Sequence, residues 1–173
     1  MRLTDLLNLS NVPRWSIVPR LREQSVADHT FRVAVIAWEL AERLGQDLTV
    51  GDFRCILCHD AEESWTGDIP GLTKHSSVSL LEGAYAVRDR LDWTAPRDRN
   101  TVIIKAADII ECLTFANAWV AQPRRGFVVD ENIKALRAHC DRFKLDYAKV
   151  WEVVRMIRED SGRCAIPDWM GKA

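Results

Sequence analysis

The sequence predicts an all-α fold, a single helical bundle of about six to seven helices. Three observations predict it. Apolar residues recur at helical spacing almost throughout, and no segment sustains the alternation of a half-buried strand. Proline and glycine fall in a few short clusters that cut this pattern into helix-sized pieces. The 173 residues, 47% of them apolar, also carry no repeat, low-complexity tract or linker, so 1–173 reads as one domain with its own core.

The elements follow in order. Residues 4–9 read as a short helix, and 11–24, punctuated by Pro13 and Pro19, as irregular chain. Ser25 can cap the next helix, with Asp28 in the reciprocal position of a capping box. Phe31, Val35, Leu40 and Leu44 mark its predicted buried stripe, and Gly45 ends it. A third helix is predicted over 50–64, before the turn-rich run Thr66-Gly67-Asp68-Ile69-Pro70-Gly71. A fourth covers about 77–91, and Pro96 separates it from a fifth over about 98–121. Pro123 and Gly126 break the chain again, Asp130 opens a sixth helix, and Asp146 opens a seventh that ends near Asp160. The tail from about 161, with Pro167 and Trp169, reads as irregular.

Composition narrows the function classes. The formal net charge is −1, so no bulk field draws the chain to a nucleic-acid polymer or an anionic membrane. Any anionic ligand must be met by local cations. No stretch approaches the roughly 20 apolar residues of a membrane span, and the N-terminus lacks the apolar segment of a signal peptide, so the expected compartment is the cytoplasm. The five cysteines are scattered through apolar helical pattern and read as small buried hydrophobes. Cys55-Ile56-Leu57-Cys58-His59 is formally a c-type haem attachment string, but that chemistry needs export. A structural zinc site would need a second Cys or His pair at suitable spacing, and the chain offers none.

The pair His59-Asp60 carries more information. Neighbours on a helix point about 100° apart, yet imidazole and carboxylate differ in reach and can converge on one ion beside the helix. Further ligands must come from other helices. His29 lies in the first turn of the second predicted helix. Asp108 lies within Lys105-Ala106-Ala107-Asp108-Ile109-Ile110, an apolar stretch where an unpaired carboxylate is costly to bury. Residue chemistry alone leaves both readings open, since Asp108 could pair with Lys105 on the surface. Two imidazoles and two carboxylates would suit Zn, Mn, Fe, Co or Mg, with positions left for water and a substrate oxygen.

Four stretches together resemble a known family. Arg14-Trp15 comes first, then Arg22-Glu23-Gln24-Ser25-Val26-Ala27-Asp28-His29. His59-Asp60-Ala61-Glu62-Glu63-Ser64-Trp65-Thr66-Gly67-Asp68-Ile69-Pro70 and Lys105-Ala106-Ala107-Asp108 complete the set. They resemble the HD-domain metal-dependent phosphohydrolases, in the branch that holds 5′-deoxynucleotidases and small phage deoxynucleoside-triphosphate triphosphohydrolases. The similarity runs to about residue 115. It implies an HD-domain bundle with a divalent metal (Zn, Co, Mn or Mg) on His29, His59, Asp60 and Asp108, and additional ions with the phosphates. It also implies catalytic work for Asp60, Glu63 and Lys105. Glu63, one turn after the doublet, could orient the attacking water or protonate the leaving oxygen, whereas Glu62 reads as a solvated acid. Asp68 resembles the residue that reads the sugar hydroxyl. Arg14, Lys74 and Lys105 are candidate phosphate clamps, His75 could touch a phosphate tail, and Trp15 with Ile17 could wall the sugar and base. His139 reads as structural.

The implied reaction is hydrolysis at the 5′ phosphoester of a deoxynucleotide. The interval from Asp60 to Asp108 is short and resembles the compact triphosphohydrolases, so the expected substrate is a dATP-like triphosphate, released as deoxynucleoside and triphosphate. A 5′-deoxynucleotidase acting on a monophosphate is the alternative, and a non-catalytic metal or nucleotide-binding module is the alternative from another class. The expected partner is a small deoxynucleotide. A homo-oligomer is expected too, with Trp151 and the apolar residues around 150–157 serving as core or as subunit contact.

Overall fold

The computed structural model describes residues 3–70, 78–90 and 101–161. Among them the chain forms α1 (Leu3–Leu7), a 3-10 turn (Asn8–Asn11), α2 (Val26–Leu44), α3 (Val50–Cys58) and α4 (Glu63–Thr66). Then come α5 (Val78–Arg90), α6 (Thr101–Trp119), α7 (Arg124–Phe143) and α8 (Tyr147–Ser161). Extended pairing among the described residues is limited to the isolated bridges Pro13 with Ser25 and Arg20 with Val120. No helix among them is long and apolar enough to cross a membrane. Lys74 and His75 lie outside the described residues, as does the tail from 162.

Helix α6 organises the bundle. It is apolar around most of its circumference, and α2, α3, α7 and α8 all pack on it. Ile103, Ala106, Ala107, Ile110 and Leu113 bury against Val33, Ala37 and Leu40 of α2, Ile56 of α3, Leu136 of α7 and Val150 and Val154 of α8. The apolar residues of α8 are therefore core, with Trp151 packed partly buried against them.

Local chemistry explains the ends of α2. Ser25 accepts a hydrogen bond from the Asp28 amide (3.1 Å), and Asp28 accepts one from the Ser25 amide (3.2 Å), completing the expected capping box. Gly45 closes the helix at φ +67°, as expected of a left-handed cap. Asp146 opens α8 by accepting from the amides of Ala148 and Lys149.

Three expectations are corrected. The stripe on α2 is turned: Leu40 is buried, but Phe31 is 69% and Val35 49% exposed, and Val33, Ile36, Ala37 and Ala41 face the core instead. His29 and Phe31 are two residues apart, about 200° around the helix, so burying His29 drives Phe31 outward. The third helix does not run on to residue 64. It ends at Cys58, and His59 and Asp60 lie in the turn before α4. Finally, α7 begins at Arg124 rather than Asp130. Pro123 stands at its cap, where no amide proton is needed, and Gly126 is carried inside the helix.

The Gly45 cap offers a direct test. A Cβ built there meets nothing within 4 Å, so any penalty is conformational alone. Gly45→Ala is expected to lower unfolding free energy by about 1–2 kcal/mol, read from urea denaturation, with the slope unchanged.

Candidate metal centre

Four polar side chains from three parts of the chain meet beside α6. His29, in the first turn of α2, has no exposed surface. Its Nε2 lies 3.2 Å from His59 Nε2, 3.5 Å from Asp60 Oδ2 and 3.3 Å from Asp108 Oδ1. His59 Nε2 in turn lies 3.1 Å from Asp60 Oδ2. Donors at about 2.1 Å from a shared ion stand about 3.0 Å apart on an octahedron and about 3.4 Å apart on a tetrahedron. The observed separations from His29 fall at that scale, and the donor set is the mixed nitrogen and oxygen type that divalent ions accept.

The atoms form two overlapping sets that share His29: one with His59 and Asp60, the other with Asp108 and Cys112. His59 follows the last residue of α3 and keeps right-handed helical dihedrals (φ −63°, ψ −27°), and Asp60 comes next in the turn. His59 Nδ1 donates to the Ile56 carbonyl at 2.6 Å, which turns Nε2 toward His29. Asp108 faces two ways. Oδ1 lies 3.3 Å from His29 Nε2, and Oδ2 accepts from Lys105 Nζ at 2.6 Å.

Charge balance follows from this packing. Burial and Arg14 oppose a charge on His29, but hydrogen bonds to Asp108, Asp60 and Glu111 prevail and raise its pKa well above the ordinary imidazole value. Burial also opposes charge on Asp60 and Asp108, yet the neighbouring imidazoles, with Lys105 beside Asp108, hold both carboxyls below their ordinary range. The result is a charged imidazole set among ionised carboxylates.

The other described candidates are placed as follows. Glu63 is buried in the first turn of α4. Glu62 is fully buried as well, contrary to the solvated role expected of it, because the chain turns inward between α3 and α4. Asp68 Oδ2 accepts from the Trp15 amide at 3.1 Å, and Oδ1 lies 3.7 Å from Arg14 Nε. Trp15 sits at φ +61°, a left-handed conformation that costs a non-glycine residue energy. Its amide bond to Asp68, an indole bond to Gln24 Oε1 (2.9 Å) and stacking on Phe115 (centroids 5.6 Å) hold it there. Ile17 on the same segment is exposed. Lys105 stands at the rim with its side chain 59% exposed. His139 Nε2 donates to the Val102 carbonyl at 2.8 Å, and the ring packs on Phe143.

Sequence reasoning passed over the residue beneath all of this. Glu111, on α6 one turn beyond Asp108, has no exposed surface. Its Oε2 accepts from His29 Nδ1 at 2.7 Å and from Arg14 Nη1 at 3.4 Å. Its Oε1 accepts from Arg32 Nε at 2.7 Å and Gln24 Nε2 at 2.8 Å. Burial alone would push its carboxyl up, but His29, Arg14 and Arg32 outweigh that and lower it. The argument that singles out Asp108, an acid on an apolar helix, applies equally to Glu111. Gln24, Cys112 and Phe115 were also missed. Gln24 lies inside a motif quoted above, whereas Cys112 and Phe115 carry no sequence signal beyond helical register with Asp108.

Fold and site together define a class, a helical protein that gathers imidazoles and carboxylates from separate elements into one centre for a divalent ion. The HD domain model matches residues 6–106, more than half of the sequence, and the chain belongs to the HD domain family. The dATP triphosphohydrolase of Salmonella phage PMBT28 is 29% identical over 159 residues, covering 85% of this chain and 80% of the relative. The 5′-deoxynucleotidase YfbR of Salmonella typhi is 26% identical over 123 residues, covering 66% of this chain and 58% of the relative. Among solved structures, the HD phosphohydrolase DatZ of cyanophage S-2L, bound to dA and one catalytic Zn2+ ion, matches with a TM-score of 0.74 and 20% identity. That match covers 94% of this chain and 98% of the other and is a likeness of fold.

A proton and an ion held by these residues would compete for His29, which sets a pH dependence. A group with raised pKa contributes stability fully present below its ordinary value and lost as pH rises through the raised one. The two aspartates contribute stability present above the ordinary carboxylate range and lost in acid. The metal-free protein should therefore lose stability above the ordinary imidazole range, where an ion takes over. The rise in Tm on adding Zn2+ should grow from about pH 6 to about pH 8.5. A rise that shrinks over that interval, measured by differential scanning fluorimetry, would contradict this account of His29.

Proposed function

We propose that this HD-domain protein hydrolyses a deoxynucleotide at its 5′ phosphoester, taking a dATP-like triphosphate to deoxynucleoside and triphosphate. The observation that carries the reading is the convergence of His59, Asp60 and Asp108 on the buried His29 Nε2, with Lys105 bonded to Asp108. His29, His59, Asp60 and Asp108 hold the divalent ion. When bound, that ion supplies a Lewis acid and lowers the pKa of water.

The protein residues do the rest. Water oxygen attacks the α-phosphorus, the bond from phosphorus to O5′ breaks, and O5′ gains the proton the water gives up. Glu63 orients that water and carries the proton to O5′. The Lys105 ammonium, at the rim beside Asp108, neutralises charge on the phosphoryl oxygens, joined by Arg14. Lys74 and His75 are assigned to the outer phosphates. Asp68 reads the sugar hydroxyl while tethering the Arg14-Trp15 segment, and Trp15 and Ile17 wall the sugar and base. The phage dATP triphosphohydrolase favours a triphosphate, since its match spans more of both chains than the deoxynucleotidase match does. The chain is read as a cytoplasmic enzyme.

The same reading includes a homo-oligomer, with α2 and α3 as the contact. Phe31, Val35 and Trp38 form an exposed stripe on α2, and Leu57 of α3 is exposed as well. Trp38 shares a shallow groove with Phe53 of α3, which joins the two helices into one face. Their exposed apolar surface is on the order of 400 Å², about half of what one partner buries in a standard interface. A second copy, presenting the same face about a two-fold axis, is the occupant this area suits.

Two experiments decide these points. Incubating dATP and dAMP with Zn2+, Co2+, Mn2+ or Mg2+ and identifying the anion by phosphorus NMR should give triphosphate from dATP, with turnover falling at least ~100-fold in Glu63→Gln. Phosphate from dAMP with no triphosphate from dATP would overturn the triphosphate reading. Light scattering at micromolar protein should give a mass above the monomer, reduced by Trp38→Glu. A monomer mass for the unaltered chain would refute the oligomer.

A further inference from the structure

Glu111 touches neither the ligand atoms' meeting point nor the rim, yet both are built on it. One buried carboxylate has room for about four donors, and this one receives four. Two come from α2 (His29 and Arg32) and two from the segment before it (Arg14 and Gln24). The bond from His29 Nδ1 to Glu111 keeps a proton on that nitrogen and points Nε2 at Asp60 and Asp108.

The second chain of bonds runs outward. Gln24 gives Nε2 to Glu111 and accepts the Trp15 indole proton on Oε1, so its amide cannot turn over without losing both bonds. The indole, already held at a strained backbone position, is thereby keyed to the same carboxylate as the metal-binding imidazole. We propose that Glu111 is a positioning residue that couples the metal centre to the Arg14-Trp15 segment, so that the ion and a deoxynucleoside each tighten the binding of the other. The coupling rests on the reading above that this segment receives the nucleoside. Glu111's hold on His29 does not.

Such coupling is reciprocal, which makes it measurable from either side. Deoxyadenosine binding to the full chain, measured calorimetrically with and without Zn2+, should tighten at least about 5-fold with the ion, and Zn2+ binding by the same factor with deoxyadenosine. Glu111→Gln keeps the shape, but its amide must turn an N–H toward a donor. Zn2+ affinity by chelator competition should weaken about 10- to 100-fold, and the coupling should vanish. Nitrogen NMR of labelled histidine should show the hydrogen-bonded Nδ1–H signal of His29 shifted, a change that a purely structural role for Glu111 would not produce.

Gln24→Ala removes the amide link between the Trp15 indole and Glu111, leaves the Arg14 and His29 bonds to Glu111 in place, and serves if the Glu111 variant does not fold. It should keep wild-type Zn2+ affinity and lose most of the coupling. Wild-type Zn2+ affinity and coupling in Glu111→Gln, or intact coupling in Gln24→Ala, would overturn the proposal. A wild-type chain that binds no deoxyadenosine would overturn the substrate reading and the coupling with it, while the Zn2+ affinity of Glu111→Gln would still decide the role at His29.

Discussion

The constraint on which the rest of the structure depends is the burial of His29 where α2 lies against α6. An imidazole with no exposed surface must have both nitrogens satisfied. Glu111 on α6 takes Nδ1, and the cluster of His59, Asp60 and Asp108 takes Nε2. Those partners fix the rotation of α2 about its own axis. The Ser25–Asp28 capping box starts the helix just before His29, and Val33, Ala37, Leu40 and Ala41 then face α6. The small alanines let the two helices lie close. The same rotation puts Phe31, Val35 and Trp38 on the outer face, so the exposed apolar stripe is a consequence of the buried polar one.

Much of the fold was legible because its signals are local. Capping at Ser25, the glycine stop at 45 and the Asp146 start each involve residues within one turn of one another. The errors arose where tertiary partners decide. Phe31 and Val35 fit a helical stripe as well as Val33 and Ala37 do, and only the partners of His29 choose between them. Helical pattern also continues past His59, but the inward turn that buries Glu62 and Glu63 ends α3 at Cys58. Four ligand candidates could be named from a motif set running from Arg14 to Asp108. Glu111 could not be ranked above other acids, because its weight comes from donors 79, 82, 87 and 97 positions away.

The centre divides its ligands between rigid and adjustable supports. His29 and Asp108 belong to two 19-residue helices packed into the core, and their separation is set by that packing. His59 and Asp60 belong to a short turn, with His59 steered by one bond to the Ile56 carbonyl. In the proposed metal site the first pair would define where an ion sits, and the second would settle onto it. Two imidazole nitrogens at 3.2 Å need a proton or a cation between them. Rigidity is therefore needed mainly at His29, which is where Glu111, with Arg14 and Arg32 balancing its charge, provides it.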